Sequence, residues 1–121
     1  MSTKRVLIVD DAVVMRMMIK GILSKNGYEI VGEAQNGVEA VEKYNALNPD
    51  LVTMDMVMPD MDGIAAVKQI VAMDPAARIV MCTSMGQQQL VVEAVQAGAK
   101  SFITKPFQPP KILETIQKVL A

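Results

Sequence analysis

The chain switches between two hydrophobic periods five times over, and that alternation limits its fold more than any other feature. Val6–Val9, Leu51–Met54 and Ile79–Cys82 are short, continuous apolar runs, the pattern of strands buried on both faces. Glu29–Ala34 and Lys100–Thr104 are less apolar and partly alternating, as edge strands are. Helical stripes separate them: Met15, Met18, Ile19, Ile22 and Leu23; Ala40, Val41, Tyr44 and Leu47; Ile64, Val67 and Val71; Ile112, Leu113, Ile116, Val119 and Leu120. Another apolar helical stretch lies at Leu90–Ala97. Punctuation agrees with the pattern. Asn36 with Glu39 reads as a capping box, Asp62 precedes the third helix, and Gly27, Pro49, Pro75 and Gly98 fall where helices should stop.

Strict strand–helix alternation predicts an α/β fold, a doubly wound parallel sheet of five strands with right-handed crossovers. With the second and fifth strands at the edges, the order becomes 2-1-3-4-5, a flavodoxin-like (βα)5 arrangement. No linker, repeat or low-complexity stretch interrupts it, so residues 1–121 read as one domain. A net charge of −1 gives no electrostatic reason to bind nucleic acid. No apolar run nears the roughly 20 residues of a membrane span, and Met1–Arg5 leads into the first strand without a signal peptide. A cytoplasmic location is expected, and the single Cys82 fits a reducing compartment.

There is no histidine, which removes His-based triads, zinc sites and general bases at once. Cys82 has no imidazole to activate it and sits inside an apolar run, so it reads as a buried, inert thiol. The eleven methionines raise a soft-metal reading, but Met15 and Met18 fall at helical spacing beside Ile19 and Ile22 and read as core filler.

Charge collects at the ends of the apolar runs. Asp10-Asp11 follows the first strand, Asp55 ends the third and Lys105 follows the fifth. In a parallel sheet those ends share one rim, and ligands bind there near the switch point between the first and third strands. Alone, Asp11 would read as a helix N-cap, Lys105 as a solvated loop residue, and Asp60 and Asp62 as loop and cap. Together, three carboxylates and an ammonium suit a hard divalent cation and a phosphoryl group. Asp55, nearest the middle, is the candidate nucleophile, since carboxylates forming aspartyl-phosphate are an established class. Mg²⁺ and Lys105 would neutralise charge in the transfer.

Val-Asp-Asp, Met-Asp-Met-Val-Met-Pro-Asp-Met-Asp-Gly, Cys-Thr-Ser and Thr-Lys-Pro-Phe occur in that order. The set resembles the receiver domain of bacterial two-component response regulators, and within it the stand-alone chemotaxis regulators. The resemblance implies that Asp55 is the phosphoacceptor and that Asp10, Asp11, Asp55 and the Val57 backbone carbonyl hold Mg²⁺. It implies further that Thr83 is the switch hydroxyl, Lys105 the phosphate-pairing cation in a cis Lys105–Pro106 bond, and Phe102 the rotameric aromatic. The readout face would be the fourth helix, fifth strand and fifth helix, with Val91 and Val95 exposed beside Phe102. Many relatives carry Tyr at the Phe102 position, so contacts needing that hydroxyl are not expected. Val57 and Met85 would flank the path of the hydrolytic water.

The resemblance implies a monomeric signalling switch rather than a turnover enzyme. It would receive phosphate from a CheA-like histidine kinase, bind the flagellar motor switch protein and be reset by a separate phosphatase. A receiver in a phosphorelay or another non-motility pathway would carry the same residues. Two other classes fit less well. Aspartyl-phosphate phosphatases place an acid two residues past the nucleophile, where this chain has Val57. An FMN carrier would bring its phosphate against Asp10-Asp11, which would repel it.

Overall fold

The computed structural model describes residues 3–121. Met1 and Ser2, part of the start read above as lacking a signal peptide, lie outside the described residues. The strands are β1 (Arg5–Val9), β2 (Glu29–Ala34), β3 (Leu51–Asp55), β4 (Ile79–Thr83) and β5 (Ser101–Thr104). The helices are α1 (Val13–Lys25), α2 (Gly37–Leu47), α3 (Gly63–Met73), α4 (Gln88–Ala97) and α5 (Pro109–Leu120). All pairings are parallel and the order is β2-β1-β3-β4-β5. None of the described helices is long and apolar enough to cross a membrane.

The strands alternate their side chains between two cores, because successive residues point to opposite faces. Leu7, Val9, Val52, Met54, Ile79 and Met81 pack with Ala40, Tyr44, Ala66, Val67, Ile70 and Ala94, which covers one face with α2, α3 and α4. Val6, Ile8, Leu51, Val80, Cys82 and Ile103 pack with Ile19, Leu23, Ile112 and Ile116, which covers the other with α1 and α5. Cys82 is buried, as expected, and loss of solvent pushes its thiol up to about 12.

The helix starts at Asn36 and Asp62 follow the sequence signals. The Asn36 side chain accepts from the Glu39 N–H at 2.8 Å, and that of Asp62 from the Ala65 N–H at 2.9 Å. The capping box is only half formed, because the Glu39 carboxylate turns outward to Gln35 and Lys43. In α1 the methionines divide. Met15 packs against the core beside Ile19 and Leu23, whereas Met18 is 41% exposed. The Met18 expectation is therefore corrected: it lies one position before Ile19, about 100° round the helix from the buried stripe.

Gly63, the first residue of α3, sits against the end of β3. Its N–H donates to the Met56 carbonyl at 3.0 Å, and a Cβ there would overlap the Asp55 carbonyl oxygen. Helix propensity alone would favour alanine at this position by about 1 kcal/mol. The overlap predicts the opposite sign. Gly63→Ala should destabilise the protein by about 1–3 kcal/mol, in the range of overpacking, as measured by urea unfolding. A stabilised variant would mean that the β3–α3 connection yields freely.

Candidate functional site

Strand register assembles the charged run ends. Val9 lies opposite Met54 in the β1–β3 pairing, so Asp10, the next residue, is level with Asp55. Asp55 pairs with Cys82, which places Thr83 one step further along β4. Thr83 pairs with Thr104, and the Lys105 N–H donates to the Thr83 carbonyl at 2.7 Å. The Lys105–Pro106 bond is cis, as expected.

Asp10 and Asp55 are buried at this rim and Asp11 is exposed. The three offer carboxylate oxygens that all lie within 4.8 Å of one another. The Lys105 ammonium spans the two buried ones, 3.1 Å from Asp55 Oδ1 and 3.6 Å from Asp10 Oδ2. Asp55 Oδ1 also accepts the Met56 N–H at 2.9 Å. Its other oxygen, Oδ2, accepts no hydrogen bond among the described residues. Asp10 Oδ1 accepts the Ala12 N–H at 2.9 Å, while Oδ2 is buried and accepts no hydrogen bond among the described residues. The helix-capping reading of Asp11 is thereby excluded: Ala12 occupies the N-cap of α1, and Asp10 makes the local turn.

A buried carboxylate oxygen without a hydrogen bond, beside two further carboxylates, is the environment a hard divalent cation satisfies. Asp10, Asp11 and Asp55 are the residues that would hold Mg²⁺. Val57 lies in the loop after β3 and is 57% exposed, and its carbonyl accepts no hydrogen bond among the described residues.

Two residues that the charge pattern did not single out support the site. Arg16 donates from Nη1 to the Asp10 carbonyl at 2.5 Å and from Nε to Glu33 Oε1 at 3.1 Å. It thus ties the end of β1 to β2. Gln87 accepts the Thr83 hydroxyl and the Ser84 N–H, each at 2.7 Å. The Thr83 hydroxyl is therefore held by Gln87, and no hydrogen bond joins it to Asp55. A Gln four residues past a strand-end Thr carries no distinctive sequence signal.

On the neighbouring face Phe102 is 45% exposed, beside a groove of about 410 Å³. Val95 is exposed as expected, but Val91 is half-buried against the core and Val92 is exposed in its place. The reason is helical phase. Ala94 is the buried contact of α4, and Val91, three residues earlier, shares its face.

The electrostatics oppose full ionisation without a cation. Burial raises the Asp55 pKa and the Asp10 charge raises it further, against the lowering effect of Lys105 and the Met56 N–H. Burial works against the Lys105 charge, but the Asp55 hydrogen bond and the Asp55 and Asp10 charges outweigh it, so its pKa is raised. A carboxyl whose folded pKa exceeds its unfolded one holds its proton more tightly when folded, so ionising it costs stability. In EDTA, wild type and Asp55→Asn should therefore melt most alike at low pH. As pH rises from the ordinary carboxylate range through the raised Asp55 value, wild type should fall several degrees behind the variant. Melting curves across that range check this, and a gap that narrows with pH would contradict it.

The model of the response regulator receiver domain matches residues 6–117. A chemotaxis protein CheY of Thermotoga maritima is 61% identical over 96% of this chain and 97% of its own length. One from Bacillus subtilis is 63% identical over the same shares. Among solved structures, the CheX–CheY–BeF3–Mg complex of Borrelia burgdorferi matches with a TM-score of 0.92 and 39% identity, over 98% of this chain and 90% of that one. The response regulator domain of Thermotoga maritima CheB matches with a TM-score of 0.91 and 38% identity, over 98% and 97%. With its strand order, its acidic rim and its sequence in agreement, the chain belongs to the response regulator receiver family and is similar to chemotaxis regulators along almost its whole length.

Proposed function

We propose that the protein is a phosphorylation-activated switch whose acceptor is Asp55. The observation that carries this reading is the asymmetry of that carboxylate: Oδ1 is pinned by the Met56 N–H and Lys105, while Oδ2 accepts no hydrogen bond among the described residues. Pinning one oxygen orients the other as a nucleophile. In the transfer, an Asp55 Oδ2–P bond forms as the donor's P–N bond breaks, and the departing imidazole of a histidine kinase takes up a proton. Mg²⁺, held by Asp10, Asp11, Asp55 and the Val57 carbonyl, supplies charge neutralisation when bound. Lys105 supplies the rest of the positive charge, and the cis Lys105–Pro106 bond lies immediately beyond it.

Output requires a change in the face formed by α4, β5 and α5. Moving an equilibrium from 1:99 to 99:1 takes about 5.5 kcal/mol of differential binding. Two new charge-assisted bonds, from Thr83 and Lys105, would give roughly 3–6 kcal/mol. That sum is an upper bound, since Lys105 already pairs with Asp55 and Thr83 with Gln87. Only the difference between old and new partners counts, so the switch is graded. The face around Phe102, Val92 and Val95 would then bind the output partner, which the resemblance to chemotaxis regulators points to as the flagellar motor switch. Phe102 has no hydroxyl and acts through packing.

With Mg²⁺ and acetyl phosphate, intact mass should rise by one phosphoryl group. The gain should be lost in EDTA, in Asp55→Asn and in the Asp10→Ala, Asp11→Ala double variant. Phosphate mapped to Thr83 or Ser84 would refute the assignment.

Lifetime gives a separate check. Val57 and Met85 are 57% and 85% exposed, and neither can hold an attacking water by a hydrogen bond. The Val57→Asn, Met85→Glu double variant should lose phosphate several-fold faster than wild type in a half-life measurement. An equal half-life would show that apolar shielding does not set the rate.

A further inference from the structure

We propose that Gln87 is a latch that holds the Thr83 hydroxyl away from Asp55 and so opposes activation; this rests on Asp55 being the phosphoryl acceptor. The orientation of the Gln87 amide is set by its partners. The Ser84 backbone N–H can only donate, so the atom facing it 2.7 Å away must be the amide oxygen. The same oxygen lies 2.7 Å from Thr83 Oγ1, and its second lone pair accepts the Thr83 proton. A hydroxyl has one proton to give. While Gln87 holds it, Thr83 has none to offer an acceptor on Asp55.

The alternatives open to Thr83 are poorer. The Ser84 carbonyl lies 3.3 Å from Oγ1, longer than an ordinary hydroxyl bond. Thr83 itself is 3% exposed, so water cannot readily replace a lost partner. The exchange therefore runs between two protein-bound acceptors, a neutral amide oxygen at rest and an anionic phosphoryl oxygen when phosphorylated. The anion is the stronger acceptor, so phosphorylation can break the latch, and the amide sets how much of that gain is spent in doing so.

Placement makes the latch more than a local contact. Gln87 is the N-cap residue of α4, and its carbonyl accepts the Val91 N–H at 3.0 Å. Gln87, Thr83, Val91, Val92 and Phe102 all line the same groove of about 410 Å³. The Gln87 side chain therefore ties the start of the helix that carries Val92 and Val95 to Thr83 and Ser84, and its release removes that tie.

The probe is beryllofluoride with Mg²⁺, a phosphoryl stand-in that adds to Asp55 without hydrolysis. Its apparent affinity is measured by titration for wild type, Gln87→Ala and Gln87→Met, each with Thr83 intact and with Thr83→Ala. Methionine keeps the length of the side chain without its acceptor oxygen, so the test survives if alanine loosens the helix start. With Thr83 intact, both substitutions should tighten binding about 2- to 10-fold, the weight of one neutral hydrogen bond. In the Thr83→Ala background neither should change it, because the group being latched is gone. Unchanged affinity with Thr83 intact, or an equal gain in both backgrounds, would overturn the latch and leave the acceptor assignment standing. Wild type binding no better than Asp55→Asn would overturn the acceptor assignment, and the latch with it.

Discussion

Everything in this molecule is arranged around one unfavourable contact: two buried carboxylates, Asp10 and Asp55, brought level by the β1–β3 register. Like charges at that range repel, and burial removes the water that would screen them. The cluster holds because opposing groups are fixed around it. Lys105 reaches both carboxylates from the end of β5, and the Met56 and Ala12 N–H groups each satisfy one oxygen. The remaining cost falls on the sheet. Val6, Leu7, Ile8, Leu51, Val52, Ile79 and Val80 are fully buried, each contributing roughly 1.5–3 kcal/mol.

A rim held in this way is poised for a ligand that brings positive charge and for a group that offers new acceptors. Lys105 is shared between two acids, Thr83 is held by a neutral amide, and the buried Asp10 Oδ2 accepts no hydrogen bond among the described residues. Each contact can be exchanged for a stronger one, and none must be created from nothing. The rigid part is the backbone beneath, where Gly63 closes α3 onto the Asp55 carbonyl and Arg16 fastens the end of β1.

The face that carries Phe102 and α4 shows the same pattern. Ala94 anchors α4 in the core with Val91 beside it, so Val92 and Val95 stay outside, and Val92 lines a groove together with Phe102. An apolar surface left in water costs little when the exposed side chains are few and separate, and it is available to a partner. The Thr83–Gln87 contact joins this face to the acidic rim by one hydrogen bond.

The strand order and the rim were legible in the chain because both depend on short-range pattern. Continuous apolar runs mark strands buried on both sides, helical stripes mark crossovers, and a parallel sheet puts every run end on one side. Asp10, Asp11, Asp55 and Lys105 followed from that alone. The tertiary structure decided what depends on phase and side-chain direction. Val91 turned inward and Val92 outward because α4 is rotated by its Ala94 contact, and Met18 missed the core by one helical position. Arg16 and Gln87 were silent in sequence because their roles come from whom they touch. A glutamine amide or an arginine fork is equally at home in solvent, and only folding brought one to the Thr83 hydroxyl and the other to the Asp10 carbonyl.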